Sequence, residues 1–372
     1  MTIRIFCLST AIVLISFFIS MQANFDWNIT GFYRFGDQLP LSPYLNSDDI
    51  RINRNQVGYD GQFFLTIALD PTLSNDGTIA SLDFPRYRMK RIALPVLAYL
   101  LSFGNRQLIP YTIIFLNSLL MILAAVFLSR LRTDRDEERN WGPLLFFAIP
   151  GIWVSFSFAT AELAVAAFVV ISYFYHARNN SVLAALFVLL ACLTKETAVL
   201  FFVGYIFVSL WERQWRRVAI YLLAMLPFLG WHLYLSIAFP VNGTFSELGN
   251  FGYPFQGHIA KLWQLFVYEG HVNKNEYIFY TSLILAGLYL LFRLPSLWQN
   301  QKALFTAASG YLFILMQSSM AILDYHLGYS RVFLAIFVIL LLSQSHPMNR
   351  IAKGFWIFTS LVALRYLYWF WT

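Results

Sequence analysis

Apolar residues fall in long runs at 5–23, 92–104, 109–130, 143–158, 160–177, 181–193, 197–211, 218–239, 277–293, 303–322, 330–344 and 355–371, broken by short polar connectors. A straight membrane-crossing helix needs about 20 apolar residues, and several of these runs are shorter than that. The pattern predicts an all-α polytopic transmembrane bundle of about ten to eleven helices forming one domain over 1–372. Arg4 precedes the first run, but Met21 stands where a cleavage site needs a small residue before Ala23, so this run reads as a retained helix. The longest polar stretch, 24–91, reads as an ordered loop with short helices, and 240–276 as a second loop. The short paired runs 181–193 and 197–211 predict helices that stop early around a polar cavity, because irregular backbone at membrane depth survives only where protein or water satisfies it.

The connectors at 130–140, 176–180, 211–217, 293–302 and 345–354 carry most of the short-loop Arg and Lys, which orients them toward the cytoplasm. The other set is then extracytoplasmic: 24–91, Ser157 to Glu162, Thr194 to Thr197, 240–276, and Asp324 to Arg331. One conflict remains. If 92–104 and 109–130 both cross, the basic 130–140 connector lands outside, so one run among 92–158 is expected to be half-inserted or interfacial.

Composition strengthens this picture. Hydrophobic residues make up 59% of the chain and charged ones 12%, whereas soluble domains carry about 25% charge. The net charge of +7 then needs no nucleic-acid partner, since basic orienting loops account for it. Cys7 and Cys192 both lie in apolar runs, with neither a disulfide framework nor zinc spacing. Asn28 and Asn242 stand in N-x-T sequons, a weak pattern, and His258 and His271 are too isolated to argue for metal.

Chemistry concentrates on the predicted outer side. In GYDGQFFLTIALDP, Asp60 stands at the start of an aromatic, apolar helix, either as a cap for the first-turn N–H groups or as a reactive carboxylate whose pKa apolar walls would raise. The DFPRYRMKR stretch places Asp83 among Arg86, Arg88, Lys90 and Arg91, directly before an apolar run. Such cations suit a phosphate or diphosphate, or snorkel at the interface. Glu162 in FATAELAV, Lys195 and Glu196 in LTKETAVL, and Asp324, His326 and Arg331 in LDYHLGYSR are ionisable groups at membrane depth or its edge. Such groups face a cavity or a partner, and Lys195 and Glu196 could equally serve as inter-helix glue to Glu162 and Arg331.

These features in order resemble the GT-C superfamily of polyprenyl-phosphate-sugar-dependent glycosyltransferases, nearest to mannosyltransferases related to the GPI-anchor second-mannose enzyme and their bacterial relatives. The family motif W/Y-D-G-x-W/F-Y-x-x-I-A is similar to Tyr59, Asp60, Gly61, Gln62, Phe63, Phe64, Leu65, Thr66, Ile67 and Ala68. The following segment is matched by Phe84, Pro85, Arg86 and Tyr87, with Leu94 and Pro95 beyond; Ala161 with Glu162, and Leu193, Thr194 and Lys195, resemble later features. The likeness covers about residues 55 to 210, and Gln62 and Phe63 depart from the eukaryotic pattern.

The resemblance implies an inverting transfer with Asp60 as base, from a polyprenyl-phosphate-linked sugar such as mannose to a glycan or lipid acceptor. Arg86, Arg88, Lys90, Arg91, Lys195 and Arg331 would hold the donor phosphate, and Tyr59, Gln62, Asp83, Glu162, Glu196, Asp324 and His326 would line the cavity. No metal ligand set is expected, and a divalent cation is left open. The expected location is a bacterial inner membrane with the site facing outward. Two other classes compete: a transporter or flippase of a lipid-linked sugar, which would predict a repeat that the sequence lacks, and a non-catalytic member of an envelope-polymer assembly.

Overall fold

A computed structural model describes residues 2–131, 141–240, 247–267, 273–344 and 348–372. Its elements are helical apart from a two-residue parallel pairing of β1 (Phe35–Gly36) with β2 (Ile52–Asn53). The first half runs through α1 (Thr2–Ala23), α2 (Asp60–Leu69), α3 (Asp76–Ala80), α4 (Pro85–Met89), α5 (Ala93–Leu101), α6 (Ile109–Leu131), α7 (Pro150–Ser157), α8 (Glu162–Ala177) and α9 (Ser181–Thr194). The second half holds α10 (Val199–Trp211), α11 (Trp215–Ala238), α12 (Gln256–Phe266), α13 (Lys274–Asn300), α14 (Lys302–Gln317), α15 (Met320–Leu323), α16 (His326–Val332), α17 (Leu334–Leu342) and α18 (Arg350–Trp371).

Four of these helices, α1, α6, α11 and α13, are long and apolar enough to cross a membrane. α11 leaves Leu222, Leu223, Leu226, Leu229, Leu233 and Ile237 exposed along its length, a stripe that an ordinary soluble surface does not present. The paired runs behave as predicted: α9 ends at Thr194, α10 begins at Val199, and the break between them holds Lys195 and Glu196.

Two of the runs within 92–158 form only short helices. α5 has nine residues and rises about 13 Å, well short of the about 30 Å of hydrocarbon a span must cover. The 143–158 run is also broken, into a 3-10 turn at Gly142–Ala148 and the eight-residue α7. α5 is thus too short for a straight crossing.

Hydrogen bonds tie together the ends that the predicted orientation pairs. Arg178 donates to the Arg130 carbonyl, Arg217 to the Asn179 side chain, and Arg293 to the Ser343 carbonyl. At the other end Asn24 donates to the Phe370 carbonyl and Trp371 to the Ser20 hydroxyl. α8 links the two ends, from Glu162 to the Arg178 that caps it. The basic connectors thus gather at one end, and the 24–91 loop with the 159–162, 195–198 and 324–331 segments gathers at the other.

Two glycines bring this second end together by letting backbones touch. A Cβ on Gly61 would stand 2.3 Å from the Phe158 carbonyl oxygen, and one on Gly151 would stand 2.2 Å from the Ser330 carbonyl oxygen. α2 is thereby pressed on the turn before α8, and α16 on α7. Gly61→Ala is expected to destabilise the protein by about 1–3 kcal/mol through overpacking, whereas Gly230→Ala, with open space around it, should be neutral or stabilising. Thermal unfolding of the two variants side by side checks the pair.

Candidate functional site

Gly58 takes a left-handed φ of 92° and turns the chain into Tyr59, whose extended backbone opens α2. Asp60 is the first residue of that helix. Its carboxylate does not cap it: Oδ1 accepts from Arg88 at 2.8 Å and Oδ2 from Arg331 at 2.5 Å. Gln62 is tied to the backbone on both sides. Its amide oxygen accepts from Gly36 N–H at 3.1 Å and its amide nitrogen donates to the Val57 carbonyl at 2.8 Å, so it braces the loop that holds Asp60.

From Asp60 a chain of ion pairs runs in both directions. Arg88 also forks onto Asp83, Nε to Oδ1 at 2.7 Å and an Nη to Oδ2 at 2.6 Å. Arg331 reaches on to Glu162 at 3.3 Å, and Glu162 accepts from Lys195 at 3.0 Å. Beside this, Arg91 pairs with Glu196 at 3.4 Å and donates to the Tyr87 hydroxyl at 2.5 Å. Four carboxylates (Asp60, Asp83, Glu162, Glu196) therefore meet four cations (Arg88, Arg91, Lys195, Arg331), a balanced set contributed by α2, the turns before and after α4, α4 itself, α8, the 195–198 break and α16. Tyr59 lies under the Arg331 guanidinium, 4.8 Å from its ring centre, and Arg88 packs 4.1 Å over Phe63.

Not every expected residue joins. Arg86 and Lys90 are half-buried, and the cations that pair with Asp60 are Arg88 and Arg331. Asp324 and His326 belong to a separate cluster centred on Glu276, which sequence reasoning missed along with Lys261. Glu276 accepts from Lys261 at 2.7 Å and from both the backbone N–H and Nδ1 of His326, at 2.8 and 2.6 Å. Asp324 accepts from Gln264 at 2.9 Å. His258 is a satisfied core group held by Tyr280 and the Leu315 carbonyl. Asn28 caps the short 3-10 helix that follows it, and Asn242 and His271 lie outside the described residues. Among the described residues no group of acidic, His and Cys side chains could hold a metal ion.

Several buried polar atoms of the first cluster find no partner among the described residues: the Tyr59 hydroxyl, Nε of Arg91, Nε of Arg331 and one oxygen of Glu196. Buried polar atoms are nearly always satisfied, so a group of orphans marks a place for water or a ligand. Two spaces adjoin it. A small pit lined by Glu162, Lys195 and Arg331 with Val165, Phe201 and Val338 offers about 10 Å³, at the threshold for one water. A far larger groove of about 450 Å³ opens between Pro71, Leu73, Met89, Ile92, Val96, Trp231, Tyr234 and Phe239. Its Met89 wall lies between Arg88 and Arg91.

The sequence context predicts a raised Asp60 pKa, and here the structure corrects it. Burial does push the carboxyl up, but Arg331 and then Arg88 outweigh burial and hold it well below the usual carboxylate range. A group whose folded pKa is depressed stabilises the protein above its unfolded pKa, about 3.9 for Asp. That stabilisation is lost as pH falls through the lower folded value. Wild type should accordingly lose thermal stability on acidification below about pH 5 more steeply than Asp60→Asn does. Parallel pH curves for the two proteins would count against this assignment.

Comparison with protein-family models, with curated proteins and with solved structures finds no match for this chain.

Proposed function

We propose that the chain is a multi-pass membrane glycosyltransferase that moves a sugar from a polyprenyl-phosphate donor to a glycan or lipid acceptor on the extracytoplasmic face. In this reading α1, α6, the broken 142–157 segment, α8, α9, α10, α11, α13, α14, the α16–α17 pair and α18 cross the membrane. That order puts every basic connector on one side. A bacterial inner membrane is the expected setting.

The observation that carries the reading is the juxtaposition of the Asp60 cluster with the apolar groove. Arg88, which carries Asp60, packs over Phe63, and Phe63 shares a core cluster with Leu73, Met89 and Ile92 of the 450 Å³ apolar slot, an arrangement that suits a phosphate whose other end is a hydrocarbon chain. The polar end would lie against Arg88 and Arg91, and the first isoprenoid units against Leu73, Ile92, Val96 and Phe239. In the transfer, the acceptor hydroxyl oxygen attacks the anomeric carbon from the face opposite the phosphate. The bond from that carbon to the phosphate oxygen breaks, the phosphate leaves with the electron pair, and Asp60 takes the hydroxyl proton. A donor phosphate competing for Arg88 withdraws its hydrogen bond from Asp60 and raises the carboxylate's proton affinity toward the working range. The donor thereby activates its own base.

The test is direct. The purified chain in lipid nanodiscs, given a panel of polyprenyl-phosphate sugars and membrane-extract acceptors, should form a product of inverted anomeric configuration. Consumption of no donor in the panel would sink the proposal.

A further inference from the structure

Arg34 differs from every other cation near Asp60. It follows a short 3-10 helix at Ile29–Tyr33 and adopts a left-handed φ of 54°, a conformation that is uncommon away from glycine. Its carbonyl accepts from Tyr59 N–H at 3.0 Å, so the residue is fastened directly behind the start of α2. Its half-buried guanidinium lies 5.6 Å from the centre of the Phe158 ring. The same ring packs 4.8 Å from Tyr59, which carries Arg331 on its own face. The order in space is therefore Arg34, Phe158, Tyr59, Arg331, with Asp60 at the end. Arg88, Arg91, Lys195 and Arg331 each have a carboxylate, whereas the Arg34 side chain has no ion pair or hydrogen bond among the described residues. Since the eight-charge cluster is balanced, Arg34 adds an uncompensated positive charge beside it.

Around Arg34 the walls are aromatic. Arg34 acts electrostatically on Tyr325 and Tyr366, Tyr325 is largely open to the outside, and the Tyr59 hydroxyl is buried without a partner. A planar, weakly hydrated guanidinium on an aromatic ledge is a fork for carboxylate or phosphate oxygens. Phe158 and Tyr59 separate Arg34 from Arg331, and Arg88 and the apolar groove lie beyond Asp60. A ligand on Arg34 therefore approaches Asp60 from a different direction than a donor in the groove.

We infer that Arg34, with Phe158, Tyr59 and Tyr325, forms an acceptor subsite that selects a sugar acceptor bearing an anionic group, phosphate or carboxylate. The inference rests on the glycosyltransferase reading and deepens it by giving the acceptor a charge. The anion seats on Arg34, the acceptor ring lies along the aromatic ledge, and a hydroxyl points to Asp60.

Three amphiphiles with one tail test this: octyl glucoside, octyl glucuronide and octyl glucoside 6-phosphate, each below its micellar concentration, offered to the full chain in nanodiscs with a donor that it consumes. Wild type should show a KM at least about tenfold lower for an anionic acceptor than for the neutral one. Arg34→Gln should raise that KM by about tenfold to a hundredfold, the loss expected for a charge-assisted hydrogen bond. Arg34→Lys, which keeps the charge without the fork, should recover part of it. Whichever anion gains most identifies the group. Equal KM values in wild type, or an Arg34→Gln effect on the donor KM instead, overturn the inference. If wild type consumes no donor, the enzyme reading fails first, and calorimetric binding of the same three amphiphiles decides the subsite. Anion preference lost in Arg34→Gln then sustains it, and no preference refutes it.

Discussion

Asp60→Asn is expected to slow sugar transfer by about 10²- to 10⁴-fold, the contribution of a positioned general base, while leaving the chain folded. Asparagine keeps the size and the hydrogen-bonding edge but cannot take the hydroxyl proton at neutral pH. The fold survives because neither partner is left alone: Arg88 retains its fork on Asp83, and Arg331 retains Glu162. The cluster absorbs the loss of one member because its charges are shared. Initial rates with saturating donor, read beside a thermal unfolding curve, separate chemistry from stability. Transfer within threefold of wild type in a folded Asp60→Asn protein would remove Asp60 from the role of base.

The second cluster should respond in the opposite way. Glu276→Leu is expected to destabilise the protein by about 3–5 kcal/mol, the range for breaking a buried ion pair by removing one partner. Lys261 and His326 are both fully buried, at 0% exposure, and Glu276 is the one carboxylate that pairs with either among the described residues. Beyond it, Lys261 has among the described residues the Gln264 amide oxygen, the Asp324 carbonyl and the face of the Tyr329 ring. Glu276 also accepts the first N–H of α16, the helix that ends on Arg331 and Val332. Its loss should therefore loosen Arg331 at a distance and lower transfer as well. Adding Lys261→Met removes the stranded charge and should restore much of the stability. A single substitution costing under about 1 kcal/mol, or a double variant no more stable than the single, would mean that water reaches Lys261.

The sequence carried the helical character, the break at Lys195 and Glu196, and the meeting of Asp60, Glu162, Lys195 and Arg331, because each rests on a local signal. Apolar runs announce helices, and an ionisable residue inside one announces a partner. What it did not carry depends on direction and on distance along the chain. Asp324 and His326 were grouped with Arg331 by nearness in sequence, yet His326 and Arg331 are five positions apart on α16. Five residues turn a helix by about 500°, which leaves the two side chains about 140° apart, so one meets Glu276 and the other Asp60. Nothing local ties Glu276 to Lys261, since that pair forms only when the start of α13 packs beside α12. The proton affinity of Asp60 was misjudged for the same reason. Its neighbours in GYDGQFF are apolar or neutral, and the arginines that depress it come from 28 and 271 positions away. Arg34 gave no signal at all, because a lone Arg in a polar loop looks solvated until Phe158 and Tyr59 are folded against it.

The groove beside Met89 and Trp231 bears on how such an enzyme would be supplied. One wall belongs to α11, whose neighbouring Leu233 and Ile237 face outward, so a hydrocarbon tail can slide in sideways without leaving the bilayer. Encounter then becomes a search in two dimensions, governed by the mole fraction of donor among the surrounding lipids and not by its amount per litre. In the proposed reaction the spent polyprenyl phosphate would leave through the same lateral slot, so product accumulating in the leaflet would compete with fresh donor in proportion to its surface density.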